Sequence, residues 1–145
     1  MSDVAGPASV SAKRVLVAGA AAGPVVASWQ MLSFWGGFDP ATGTVIDRRH
    51  PLCGESLAQR VVVLPKGKGS STGSYVLLDA WVGGTGPAAI LLNQVDEIIA
   101  LGAVVHEEFN GQSVPVFVLD DPSFERALRA RSAELRRDGT VVLHG

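Results

Sequence analysis

The chain of 145 residues has the length of one domain, since domains usually span roughly 100–200 residues. Hydrophobic residues make up 47% and charged residues 18%, which indicates a folded chain rather than a disordered one. The formal charge of −2 gives no electrostatic signature for binding, so we expect neither nucleic acid nor a membrane as partner. The single cysteine, Cys53, cannot hold zinc or an iron–sulfur cluster without ligands from another chain.

The beginning of the chain predicts a flexible N-terminal arm over residues 1–12, followed by one folded domain over 13–145. Residues 15–38 carry no charge and follow two basic residues, as in a signal peptide. Glycines, serines and a proline interrupt this stretch, so it is too polar to span a membrane. We interpret it as two strands, 14–18 and 25–29, joined by a turn, with a cleaved signal peptide as the alternative. We expect a cytoplasmic protein.

A loop rich in aromatic residues comes next, over 31–44, and it is typical of an ordered surface loop anchored by aromatic side chains. The polar segment 47–51 (DRRHP) concentrates charge in a chain that has little of it. Its proline favours an extended backbone at His50, which would present the polar side chains to solvent. Arg48 and His50 are therefore candidate binding residues, whereas Cys53 is more typical of a small packed residue than of a nucleophile.

The second half of the chain alternates strands with helices, which predicts a single layered α/β domain with a mixed sheet. Val61–Leu64 is apolar throughout and predicts a central strand covered on both faces. His106 lacks metal-ligand spacing and is expected at the surface, while the three tryptophans are expected in the core or at an interface. The other predicted strands are 87–92, 104–105, 114–119 and an edge strand at 140–143; the predicted helices are 75–82, 96–102 and one from Asp121 or Ser123 to Arg137.

The loop 66–74 (KGKGSSTGS) between the central strand and the next helix carries the most chemical information. Its glycines match neither a Walker loop nor a dinucleotide-binding fingerprint. Free N–H groups at a helix start favour an anion, and with the ammonium of Lys66 or Lys68 they could stabilise a serine alkoxide that takes a proton from carbon. A plain helix cap explains the same hydroxyls equally well, and no serine-hydrolase motif accompanies them.

Four motifs in this order resemble the small subunit of aconitase X. They are 32–39 (LSFWGGFD), 45–52 (VIDRRHPL), 67–74 (GKGSSTGS) and 96–103 (DEIIALGA). The resemblance implies a swivelling β/β/α domain that forms a hetero-oligomer with a large subunit. In this family the large subunit holds iron or an iron–sulfur cluster through cysteines, so this chain is expected to bind no metal alone.

The resemblance also implies a hydro-lyase in which Ser70, the first serine of the glycine-serine loop, is the base that removes a proton beside a carboxylate. The expected substrate-binding residues are Gly69, Ser71, Thr72, Lys68, His50 and Arg48. Members of the family are cis-3-hydroxy-L-proline dehydratases in bacteria and phosphomevalonate dehydratases in archaea. The composition, rich in arginine and alanine, favours the first activity; the second stays an alternative, as does a non-catalytic module that binds a carboxylate or a partner.

Overall fold

The structure is a computed structural model that describes residues 7–69 and 71–145. Its strands are β1 (Ala8–Ser11), β2 (Arg14–Val17), β3 (Ala21–Ala27), β4 (Phe38–Asp39), β5 (Thr44–Val45), β6 (Val61–Leu64), β7 (Ala89–Leu92), β8 (Val116–Val118), β9 (Ser132–Leu135) and β10 (Thr140–His144). Its helices are α1 (Phe34–Gly37), α2 (Gly73–Val82), α3 (Glu97–Asn110) and α4 (Asp121–Arg129).

Eight strands form one mixed sheet in the order β1, β10, β9, β3, β6, β7, β8, β2. Strands β3, β6, β7 and β8 run parallel, and the other pairs are antiparallel. Only Ala12 and Lys13 separate β1 from β2, yet these strands occupy opposite ends of the order, so the sheet must curl. The N–H of Ala12 donates to the Gly139 carbonyl and that of Lys13 to the Val118 carbonyl, both at 2.8 Å, which ties the two ends together. The predicted mixed-sheet α/β class is confirmed.

The central strands are buried on both faces, as their unbroken apolar sequences predict. Alternate residues enter two separate cores because successive side chains of a strand point to opposite faces. Val62 packs in the core that contains Leu77 of α2 and Ile99 of α3. Val61 packs in the core that contains Phe124 of α4. Helices therefore cover both faces of the parallel strands, and the loops that connect helices and strands lie at the two ends of the strands.

Two expectations about the ends of the chain are wrong. Ala8–Ser11 is not part of a loose arm, since β1 pairs with β10 along its whole length; residues 1–6 lie outside the described part of the chain. The same pairing places β10 between β1 and β9 instead of at an edge. The sequence of β1 does not predict a strand, because it is short and only Val10 among its residues enters the core.

The uncharged segment 15–38 does form strands, but β2 and β3 are not neighbours: β2 pairs with β8, whereas β3 pairs with β6 and β9.

Two helix boundaries also differ from the prediction. Helix α3 continues through 104–105, where a strand was predicted, and ends at Asn110. Gly111 caps it with a φ of 71°, a left-handed conformation favoured by glycine. Helix α4 ends before Ala130 rather than at Arg137. The segment Ser132–Leu135 buries every second residue, which is the period of a strand.

Candidate functional site

The loop after β6 lies at the carboxyl end of the parallel strands, and the predicted order of strand, glycine loop and helix is confirmed. Gly67 forms a parallel bridge with Leu32, and the N–H of Lys68 donates to the Leu32 carbonyl at 3.0 Å. The loop after β7 joins it, because the N–H groups of Asn93 and Gln94 donate to the Pro65 carbonyl at 3.1 Å. In α/β sheets, ligands bind outside the carboxyl ends of the parallel strands, so the loop is in a suitable place for a site.

Asp96 holds the glycine loop against the start of α3. Its Oδ2 accepts a 2.8 Å hydrogen bond from the N–H of Gly67, while Oδ1 accepts from the N–H groups of Ile98 and Ile99 at 3.0 Å. The side chain is buried, and a Cβ added at Gly67 would lie 2.9 Å from Oδ2. An aspartate before an apolar helical run is a known capping signal, but the bond from Asp96 to Gly67 has no signal in the sequence.

A cleft of about 260 Å³ opens between this loop, the beginning of α3 and Phe34. Lys66 and Lys68 line it, together with Gly67, Gly69, Gly73 and residues 95–99. The positive end of the α2 dipole reaches the cleft at Gly73, and Lys66 and Lys68 bring two cations, whereas Asp96 and Glu97 bring two carboxylates. A carboxylate ligand would therefore bind on the side of the loop and its lysines. The first N–H groups of α3 are engaged by Asp96, and those of residues 74–76 in α2 donate to the carbonyls of Ser71 and Thr72. The lysine side chains are therefore the described groups best suited to bind an anion in this cleft.

Of the predicted site residues in the loop, Lys68 and Gly69 line the cleft, whereas Ser71 and Thr72 do not. Ser70, the expected base, lies outside the described residues. Its neighbour Gly69 lines the cleft with a φ of +95°, a conformation that side chains rarely adopt. Ser71 is exposed, and its carbonyl accepts a 2.9 Å hydrogen bond from the Ser74 hydroxyl. Thr72 is half-buried and precedes α2, and its side chain makes no capping hydrogen bond to the described first turn of the helix.

The expectation that His50 is presented to solvent is wrong. His50 is buried within a turn, where its Nδ1 accepts from the Leu52 N–H at 3.1 Å and its Nε2 lies 3.2 Å from the Gln30 carbonyl. The Nδ1 contact stabilises the turn itself, and the Nε2 contact holds the loop after β3 against it. Arg48 is exposed in the same turn but does not line the cleft, and Cys53 is exposed rather than packed.

His106 is also placed differently from its prediction, since it is buried and stacks on Trp81 with ring centroids 5.7 Å apart. Burial lowers the pKa of its imidazole, and a hydrogen bond with the Gln112 side chain opposes this in part. Of the three tryptophans, Trp81 is in the core, whereas Trp29 and Trp35 are exposed.

The described residues do not fit a metal site. Residues 7–69 and 71–145 contain no group of three or more His, Cys, Asp or Glu side chains close enough to hold an ion. In the same ranges, no helix has the length and apolar character needed to cross a bilayer.

The family model described as the aconitase X swivel domain matches residues 10–143. The chain belongs to this family. The crystal structure of aconitase X from Thermococcus kodakaraensis (holo-form) superposes with a TM-score of 0.80 at 30% identity, covering 95% of this chain and 98% of that one. The resemblance seen in the four motifs is therefore confirmed, and so is the swivel-domain fold.

Two curated relatives differ in how much of their length this aconitase X swivel domain covers. The cis-3-hydroxy-L-proline dehydratase of Pseudomonas aeruginosa is 49% identical over 131 residues, which is 90% of this chain but only 22% of that protein. The phosphomevalonate dehydratase small subunit of Methanothermobacter thermautotrophicus is 48% identical over 92 residues, 63% of this chain and 70% of that protein. The chain thus spans about a fifth of the first relative's length.

Proposed function

We propose that this chain is the small part of an aconitase X-type hydro-lyase that dehydrates a hydroxy acid, most favourably cis-3-hydroxy-L-proline, together with a large subunit. The observation that carries the proposal is the cleft at the carboxyl ends of the parallel strands, which the family's glycine-serine loop lines with its two lysines. The names of the relatives, both dehydratases, support the class of reaction.

In the proposed reaction, Ser70 acts as the base. Its alkoxide takes the proton from the carbon next to the substrate carboxylate, the C–H electrons form the new C=C bond, and the C–O bond breaks with its electron pair leaving on the oxygen. The departing hydroxide takes the proton that Ser70 has gained, which gives water and restores the alkoxide. Lys66 or Lys68 would bind the carboxylate, and nearby N–H groups would stabilise the alkoxide.

The other half of the active site belongs to the partner in this proposal. The resemblance assigns iron or an iron–sulfur cluster to the large subunit, and the described residues of this chain offer no ligand set of their own. This chain therefore contributes the base and the carboxylate contacts, in a cytoplasmic complex of at least two chains.

Two observations favour hydroxyproline over phosphomevalonate. The match to the hydroxyproline enzyme extends over 90% of this chain, compared with 63% for the phosphomevalonate small subunit. The cations that line the described cleft are two lysines, which suffice for one carboxylate but are few for a substrate that also bears a phosphate. Phosphomevalonate remains the second substrate to assay.

The test is reconstitution of the full chain with an aconitase X large subunit from the same organism. We expect no turnover by either part alone and dehydration of cis-3-hydroxy-L-proline by the mixture. Ser70→Ala should lower kcat by a factor of about 10²–10⁴ while the complex still forms, because general-base catalysis supplies factors of that size. Ser9→Ala is the matched control, because Ser9 is an exposed serine of β1, and β1 is not adjacent to β6 in the sheet. This variant should retain activity.

Two results would contradict the proposal. Full activity of the Ser70→Ala complex would reject the base assignment. Binding of a carboxylate by the chain without turnover of either substrate in any reconstituted mixture would favour the non-catalytic module.

A further inference from the structure

Large apolar side chains are exposed at the carboxyl end of the parallel strands, where the cleft lies. We define the aromatic rim as Trp29, Met31, Trp35, Tyr75 and Val95, whose exposed fractions are 69%, 42%, 59%, 72% and 40%. Every one of them lies on a segment at the carboxyl end of the parallel strands: after β3, in α1, at the start of α2 or after β7. Val95 lines the cleft itself, and the other four lie at the same end of the sheet.

The rim also contains a concave surface. Trp35 and Tyr75 line an open groove of about 420 Å³, and Thr72 and Val76 form part of its floor. Trp35 follows Phe34, which points the other way and lines the cleft, so groove and cleft share one short segment of chain. Exposed apolar patches mark interaction sites, and Trp, Tyr and Met are the side chains enriched in the centre of protein interfaces.

We propose that the aromatic rim is the surface on which the large part of the dehydratase docks, with Trp35 and Tyr75 as its anchors. This inference rests on the proposed function, since a chain that supplies only the base needs its partner to face the cleft. A partner seated on the rim would cover the cleft and exclude water from it. The partner's surface should therefore be apolar and carry a pocket for the Trp35 indole.

The lengths of the relatives favour this occupant over a second copy of the chain. In the Pseudomonas aeruginosa dehydratase, the region similar to this chain accounts for 22% of the polypeptide, so most of that protein lies beyond the part that corresponds to this domain. The relative from Methanothermobacter thermautotrophicus is named as a small subunit, which implies a larger companion. Both arrangements give the domain a much larger neighbour.

The experiment measures the dissociation constant between the full chain and an aconitase X large subunit from the same organism, together with turnover at increasing large-subunit concentration. Trp35→Ala and Tyr75→Ala should each raise the dissociation constant at least tenfold and raise, by a similar factor, the concentration that gives half-maximal turnover. Phe109→Ala is the matched control, because this residue is 82% exposed near the opposite end of α3. It should change the dissociation constant less than twofold.

The outcomes separate this inference from the proposed function. An active wild-type complex whose affinity is unchanged by both rim variants, or is weakened more by Phe109→Ala, overturns the rim and leaves the dehydratase. A wild-type chain that dimerises alone and is made monomeric by Trp35→Ala identifies a second copy as the occupant and also overturns the inference. A wild-type chain that neither binds the large subunit nor turns over substrate with it rejects both proposals.

Discussion

Asp96 offers the sharpest test of how the glycine loop is held, because its two carboxylate oxygens have separate tasks. In Asp96→Asn the amide oxygen can still cap α3 through Ile98 and Ile99, but the amide nitrogen cannot accept the N–H of Gly67. A half-buried N–H without an acceptor costs about 1–3 kcal/mol. Asp96→Ala also removes the cap, worth about 1 kcal/mol, so its expected loss is about 2–4 kcal/mol.

Urea unfolding of the three proteins gives these free energies, and amide hydrogen exchange reports on the loop itself. We expect the Gly67 and Lys68 amides to exchange faster in Asp96→Asn, while amides in the first turn of α3 keep their protection. In Asp96→Ala both regions should lose protection. Wild-type stability and wild-type exchange at Gly67 in the asparagine variant would refute the idea that this carboxylate fixes the loop.

Further expectations concern packing, titration and surface charge. Gly86→Ala should destabilise the fold by about 2–3 kcal/mol in urea, because a Cβ there would overlap the Trp81 ring. Burial lowers the pKa of His106, so the unfolded chain binds more protons there; the unfolding free energy should fall as the pH drops below about 6.5, and His106→Gln should remove that part of the pH dependence. Glu55→Gln, which breaks the partly exposed 3.1 Å pair with Arg60, should change thermal stability by less than about 1 kcal/mol.

The central strands of the sheet could be predicted from the sequence, because the pattern that indicates each strand lies within the strand itself. Val61–Leu64 and Ala89–Leu92 are continuous apolar runs next to turn residues, and they became β6 and β7 as expected. Strand β1 has no such signal, since it is short, largely polar and stabilised by pairing with residues more than a hundred positions away. Long-range pairing of this kind leaves no periodicity in the sequence.

The candidate site could be predicted in outline for a similar reason. A glycine-serine loop after a buried strand indicates where a ligand could bind, and the cleft is found there. The burial of His50 follows from its hydrogen bonds to Gln30 and Leu52, which its neighbours in sequence do not reveal. The bond of Asp96 to Gly67 could not be predicted, because it depends on how two loops meet.

The pairing of β1 with β10 has a consequence for how this domain can be built into larger proteins. Ala8 lies opposite Leu143, so the chain enters and leaves the domain at neighbouring points on one side of the sheet. Joining either end to further polypeptide, or inserting the whole unit into a longer chain, then requires no rearrangement of the strands between them. The same architecture can therefore serve in a separately encoded subunit and in a segment of a single large polypeptide.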